Sequence, residues 1–247
     1  MLLDAIIVNG ENSSSRGRGI TPRIVKFFQH IGVNVITTGN HIWAHREIHN
    51  CLETERNFFL RPANFPSGAP GTGVTTFTCS NGVTIGVINV QGRIFMREHL
   101  SCPFRAVESA LTFLRSKTDI IFVDFHAEAT SEKMGLAYYL DGKISGLVGT
   151  HTHVPTADER ILPLGTAYQT DLGMVGSINS MLGMKKGPII ANFLTQMPTK
   201  FEVETDPPYV LYGTLIEVDI QTAKATHIER IKIIDNESFV HDKDLPE

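Results

Sequence analysis

Along the first 150 residues, apolar runs of strand length alternate with stretches whose apolar positions recur every three or four residues. "DAIIV" (4–8) predicts a buried strand. "TPRIVKFFQHIG" (21–32) predicts a helix, with Pro22 in its first turn, Gly32 at C′, and Ile24, Phe27, Phe28 and Ile31 on one face. "VNVITTG" (33–39) is the next strand, and "AHREIHNCLETE" (44–55) is a short amphipathic helix. "PFRAVESALTFLRSK" (103–117) carries Phe104, Val107, Leu111 and Leu114 on one stripe, and leads into the continuous strand "DIIFVDF" (119–125). "TSEKMGLAYYLDG" (130–142) predicts a helix capped by Ser or Thr, followed by the strand "ISGLVGT" (144–150). Continuous apolar strands separated by helices predict a largely parallel sheet covered on both faces.

Elsewhere the period is two. "GVTTFTCSNGVTIGVINVQGRIF" (73–95) is a pair of alternating strands around Ser80-Asn81-Gly82, a hairpin pattern, and "RILPLGTAYQTDLG" (160–173) predicts another. "KFEVET" (200–205), "YVLYGTLIEVDI" (209–220) and "THIERIKIID" (226–235) read as strands. The expectation is a mixed α/β chain forming one domain over 1–247, with no repeat and no linker.

Composition narrows the classes. The chain has 247 residues, 42% hydrophobic and 19% charged, enough for a core without staples, so any metal here would serve chemistry. A net charge of −4 gives no global case for nucleic acid or anionic membrane. Cys51, Cys79 and Cys102 form no C-x-x-C pair, which points to a reducing compartment. No apolar stretch approaches the ~20 residues of a membrane span. The N-terminus lacks a signal-peptide pattern, so a cytoplasmic location is expected.

The chemistry lies at the strand ends. "AIIVNG" runs into Glu11-Asn12, "VITTG" into Asn40-His41, "IIFVDF" into His126-Ala127-Glu128, and "GLVGT" into His151-Thr152-His153. In an open α/β sheet these ends share one edge, where ligands bind. A single histidine there is usually a loop residue, but a carboxylate, amides and several imidazoles at successive strand ends form a pattern. Oxygen and imidazole donors without thiolates suit Mn, Fe or Zn. Two such ions bridged by a carboxylate cleave phosphate esters, binding the phosphate and generating a hydroxide nucleophile. Asn40 would offer a neutral oxygen, and His41 a proton for the leaving group.

Gly10-Glu11-Asn12, Gly39-Asn40-His41, "DFHAEATSEK" and "GTHTHVPTAD", with "RPANFP", "INVQGR", "ERILPLGTAY" and "TDLGM", resemble the YmdB-like branch of the calcineurin-type metallophosphoesterases. The resemblance implies a two-sheet β-sandwich flanked by helices (α/β/β/α) and a dinuclear centre. It also implies phosphodiesterase activity, with 2′,3′-cyclic nucleotides as the substrate class. Carried over by position, Glu11 would bridge two divalent ions (Fe, Mn or Zn). Asn40, His126 and His151 would complete one shell, Asn12 and His153 would serve the other, and His41 would be the catalytic histidine. Partners would be a small phosphodiester or nucleotide and a second copy of the chain in a homo-oligomer.

Other positions receive blander readings. Arg16, Arg18 and Arg93 are read as solvated loop residues rather than phosphate contacts, and Ser131 and Glu132 as helix caps. Trp43 and Met134 serve the pocket or the core. Asp124 orients a ligand histidine or makes a structural hydrogen bond. The family pattern also begins with a strand ending in Gly-Asp, whose Asp ligates the first metal. That βα unit has no counterpart before Glu11, and Asp4, at its strand's start, cannot replace it. The expectation is an N-terminally shortened fold with one weakened metal site. Competing explanations are a start placed too late, a truncated product, or a one-metal variant. A regulatory module binding a nucleotide or a protein partner without turnover is the alternative function. A serine or cysteine hydrolase lacks its G-x-S-x-G elbow.

Overall fold

The computed structural model describes residues 3–237. Its elements are β1 (Ile7–Asn9), α1 (Pro22–His30), β2 (Val35–Thr37), a 3-10 turn (Ile42–Ala44), α2 (Ile48–Thr54), β3 (Val74–Thr78), β4 (Thr84–Gln91), α3 (Pro103–Leu114) and β5 (Ile121–His126). There follow α4 (Thr130–Leu140), β6 (Gly146–Thr150), β7 (Arg160–Ile161), β8 (Ala167–Gln169), β9 (Val175–Ser177), α5 (Lys186–Thr195), β10 (Tyr209–Val218) and β11 (Ala225–Asp235). A six-stranded sheet runs β3-β4-β5-β6-β8-β7, with β4, β5, β6 and β8 parallel and the two predicted hairpins at its edges. β1 and β2 form a separate parallel pair, and β9, β10 and β11 a third, antiparallel sheet.

The period of two sorts these strands into layers. On β4 and β5, Ile88, Val90, Ile121, Val123 and Phe125 point outward and pack with Val107, Leu111 and Leu114 of α3 and Leu136 and Leu140 of α4. The alternate residues Ile85 and Val87 face inward and meet Val35 of β2 and Leu60, with Ile7 of β1 alongside. On the far side of the β1–β2 pair, Val8 and Ile36 pack beneath α1 and α2. The order is helices, sheet, sheet, helices. Val218 and Ala223 of the C-terminal hairpin join the inner cluster, so this hairpin covers the same face of the large sheet. Each fully buried Ile, Val or Leu in these clusters contributes about 1.5–3 kcal/mol relative to exposure.

Several details depart from the sequence reading. The layer opposite the large sheet is two hydrogen-bonded pieces rather than one, because β1–β2 and β9–β11 pair only within themselves. β1 is half-buried along its length, whereas β2 is buried throughout. "KFEVET" contributes only an isolated bridge, Met184 to Val203, and no strand. α5 was not predicted: its only buried residue is Ile189, while Phe193 and Leu194 are exposed, so it has no clean apolar stripe to betray it. On α1 the buried face is Ile24 and Val25, and Ile31 is exposed just beyond the last turn. α4 is not capped by Ser or Thr. Ala129 holds the N-cap without a side-chain bond, and Glu132 instead accepts backbone N–H groups of Arg93 (3.1 Å) and Ile94 (3.2 Å).

Candidate active site

Between the facing sheets the inward positions turn polar toward the C-terminal strand ends. Asn89 of β4 both accepts from the Thr38 N–H and donates to its carbonyl, each at 3.0 Å, replacing a strand bridge between the layers. Beyond it lies buried Asp124 of β5. One carboxylate oxygen accepts from Asn9 Nδ2 (2.8 Å) and Thr37 Oγ1 (2.5 Å), and the other from Thr150 Oγ1 (2.8 Å). Burial raises the Asp124 pKa and outweighs these bonds, which favour the ion. Three strand ends from two sheets are therefore tied to one carboxylate.

This network orients His126. The Thr150 hydroxyl, spent as a donor on Asp124, lies 3.0 Å from His126 Nδ1 and can only accept there. Nδ1 therefore carries a proton, and Nε2 is the nitrogen that faces the cluster, with a lone pair there in the neutral ring. Around that nitrogen sit Glu11 Oε2 at 2.8 Å, Asn40 Oδ1 at 3.0 Å and His151 Nδ1 at 3.1 Å. His151 is anchored from behind, its Nε2 lying 3.1 Å from Glu128 Oε2. Glu11, His126 and His151 each offer a ligand atom, all within 4.8 Å of one another. A proton on His126 Nε2 would satisfy one of its three facing acceptors; a divalent cation would take all four lone pairs. The donor set thus fits a metal ion.

Electrostatics reflect the crowding. Burial pushes the Glu11 carboxyl up, but the His126 charge and hydrogen bond and the His41 N–H (2.6 Å) bring it down to about 2. Burial, then the neighbouring His126 charge, lowers His151 to about 4. His126 is raised: burial opposes its protonation, but Glu11 prevails.

Asn12 and His153 form a second pair, with Asn12 Nδ2 3.2 Å from His153 Nε2. His153 Nδ1 faces the Leu182 carbonyl at 3.2 Å, so its proton sits there and its Nε2 carries a lone pair. Asn12 Oδ1 is buried without a hydrogen-bond partner, an orphaned acceptor beside an unprotonated imidazole nitrogen. Asp4 lies elsewhere, accepting from Asn81 in the β3–β4 turn.

His41 follows β2 and is half-buried. Arg18 Nε donates to its Nδ1 at 3.2 Å, which leaves the ring proton on Nε2. Burial leads the lowering of its pKa, and the charges of Arg18 and His126 add to it against those of Glu11 and Glu98.

Close approach explains two glycines. A Cβ on Gly39 would lie 2.2 Å from the His126 ring, and one on Gly149 would lie 1.8 Å from the Thr170 carbonyl oxygen. His151 (φ 100°) and His153 (φ 64°) both adopt left-handed backbone, each costing about 1–3 kcal/mol, so their turn must be held by its surroundings.

The structure thus gathers Glu11, Asn40, His126 and His151 in one cluster, sets His41 against it, and joins Asn12 to His153. Arg16, Arg18 and Arg93 are all exposed, and Arg18 also contacts His41. Trp43 packs edge-on against Phe65 and His49, and Met134 is exposed. Asn9 and Thr150 escape the sequence reading, and Glu128 stands in it without a role. Glu128 alone left a signal, standing two residues beyond His126; Asn9 and Thr150 are ordinary strand residues until the sheets face each other.

The helix–sheet–sheet–helix order is of the metallophosphoesterase type, and Glu11, His126 and His151 form a cluster that could hold a metal ion. The chain belongs to the YmdB-like protein family, whose model matches residues 1–231. It is 46% identical over 233 residues to a 2′,3′-cyclic-nucleotide 2′-phosphodiesterase of Bacillus subtilis (strain 168), covering 94% of this chain and 86% of that protein. It is 34% identical over 240 residues to a putative phosphatase/phosphodiesterase of Mycoplasma pneumoniae, covering 95% of this chain and 83% of that one. Among solved structures, a hypothetical protein from Thermus thermophilus superposes with a TM-score of 0.86 at 39% identity, covering 94% of this chain and 88% of that one. A novel phosphatase from Mycoplasma pneumoniae superposes with a TM-score of 0.84 at 34% identity, covering 94% and 82%. The chain is an enzyme of the hydrolase type. Among the described residues no helix is long and apolar enough to cross a membrane.

Proposed function

We propose that this chain is a metal-dependent phosphodiesterase acting on small phosphodiesters, with 2′,3′-cyclic nucleotides as the substrate class. The observation that carries the reading is the meeting of Glu11, Asn40 and His151 around Nε2 of His126. The family and the Bacillus subtilis relative support the substrate class.

In this reading Asn40, His126 and His151 would hold one divalent ion and Asn12 and His153 a second, with Glu11 as the carboxylate of the site; Mn, Fe and Zn suit these donors. When bound, the ions supply positive charge for the phosphate and acidify a water molecule. The chain's own residues do the rest. Asp124, through Thr150, keeps His126 in its ligating tautomer, and Glu128 does the same for His151. Asn40 contributes an oxygen without further negative charge beside an anionic substrate. Arg18 holds the Nδ1 of His41, so that Nε2–H can donate a hydrogen bond to the charge developing on the departing alkoxide.

The test is hydrolysis of 2′,3′-cyclic AMP and of bis(p-nitrophenyl) phosphate by the purified chain with Mn2+. Turnover should disappear with a chelator and return with the metal. H41A should lose about 10²-fold or more in kcat, the usual scale of removing one donor to a developing oxyanion, while still binding Mn2+. Saturable nucleotide binding without turnover by the metal-loaded protein would replace this reading with that of a binding module.

A further inference from the structure

Behind the His151-Thr152-His153 turn lies an ion pair that the proposed chemistry does not use. Lys133 Nζ of α4 meets Asp171 Oδ2 at 2.7 Å, and both side chains are 0% exposed. Among the described residues it is the one pairing of a lysine or arginine with a carboxylate in which both partners are buried. Such a pair is seldom more stabilising than apolar residues of the same volume, so its presence asks for another reason.

The hydrogen bonds supply that reason. The same Oδ2 also accepts from the Thr152 backbone N–H (3.1 Å) and hydroxyl (2.8 Å), while Oδ1 accepts from Gly173 N–H (2.9 Å). Asp171 is itself fixed by its main chain: its N–H donates to Thr156 Oγ1 (2.9 Å) and its carbonyl accepts from Thr156 N–H (3.0 Å). Thr152 is the residue between the two left-handed histidines. The lysine stem lies across the end of β6, where a Cβ on Gly149 would fall 2.8 Å from Lys133 Cδ.

We infer that Lys133 and Asp171 are positioning residues. The carboxylate clamps Thr152 by two bonds and so holds the strained turn that aims His151 into one ligand set and His153 into the other. The ammonium neutralises the clamp and ties it to α4. A carboxylate is suited to this task because it accepts four hydrogen bonds at once, and burying it so close to the cluster requires a compensating cation. The inference rests on the metal-binding reading of those histidines.

The experiment compares wild type with K133M/D171N, which removes both charges together, and with T152V and T152S. It measures melting temperature, Mn2+ affinity by calorimetry, kcat separately from KM, and amide exchange across residues 150–154. K133M/D171N should melt within a few degrees of wild type, yet bind Mn2+ about 10–100-fold more weakly, with kcat falling and KM little changed. T152S should match wild type, and T152V should lose affinity and amide protection. A folded double variant with wild-type Mn2+ affinity would overturn the inference. Should the double variant not fold, equal affinities of T152V and T152S would do so. If wild type binds Mn2+ without hydrolysing anything, the phosphodiesterase reading fails and these affinities still decide the clamp. If wild type binds no metal, unchanged protection of 150–154 in T152V overturns it.

Discussion

Asp124→Asn probes the logic of the site at a residue outside its ligand cluster. In the wild type, two oxygens of Asp124 take donors from Asn9, Thr37 and Thr150, and the Thr150 bond fixes which nitrogen of His126 bears the proton. An asparagine can keep only one of those oxygens. If its amide nitrogen faces Asn9 and Thr37, two donors meet a donor, and the Asn9 amide keeps only its longer bond to Thr150 Oγ1 (3.3 Å), at a cost of about 1–3 kcal/mol. If it faces Thr150, the hydroxyl must reverse and donate to His126 Nδ1, moving the imidazole proton to Nε2 and into the ligand cluster. Either arrangement weakens the protein, and the second also blocks the metal. The expected loss in Mn2+ affinity is about 10–100-fold, as for other residues that orient a ligand histidine, or about 1.4–2.7 kcal/mol. Calorimetric titration with Mn2+ measures the affinity, thermal melting of the chelated protein measures the stability, and nitrogen-15 chemical shifts of the His126 ring report the tautomer. An Asp124→Asn protein that binds Mn2+ as tightly as wild type, with Nδ1 still protonated, would refute the relay.

Gly39→Ala should displace the His126 ring, which would lie 2.2 Å from the new methyl group, costing at least about 1–3 kcal/mol and most of the metal affinity; thermal melts and Mn2+ titration would show both. A chelator should lower the melting temperature, and metal at 100 times its Kd should restore about 2.7 kcal/mol; a melt indifferent to Mn2+ would contradict the site. Burial pushes Asp158 up, but hydrogen bonds from Thr156 and Thr170 hold it below the usual carboxylate range. A depressed folded pKa gives stability that is present above the unfolded value near 3.8 and is lost as pH falls through the folded one. Asp158→Asn should therefore flatten the acid limb of the melting profile while lowering stability at pH 7.

Much of the local architecture follows from the chain's own periodicity. Continuous apolar runs such as "IIFVDF", too short for a helix and rich in β-branched and aromatic residues, read as strands buried on both faces, and Pro22 and Gly32 bracket α1 through backbone preferences that need no neighbours. The residues of the candidate cluster could be picked out too, because each stands at the end of such a run and parallel strands bring their ends to one edge. Tertiary structure decided what those residues can do. Asn9, Thr37 and Thr150 acquire meaning only when two sheets face each other and Asp124 collects their donors. Glu132 caps no helix, because the loop after β4 offers it unpaired N–H groups. Arg18 lies on His41, and Lys133 pairs with Asp171 across 38 positions of chain. Periodicity records which side of an element is buried. Which buried polar group answers another depends on the register and facing of separate elements, and no local pattern encodes that.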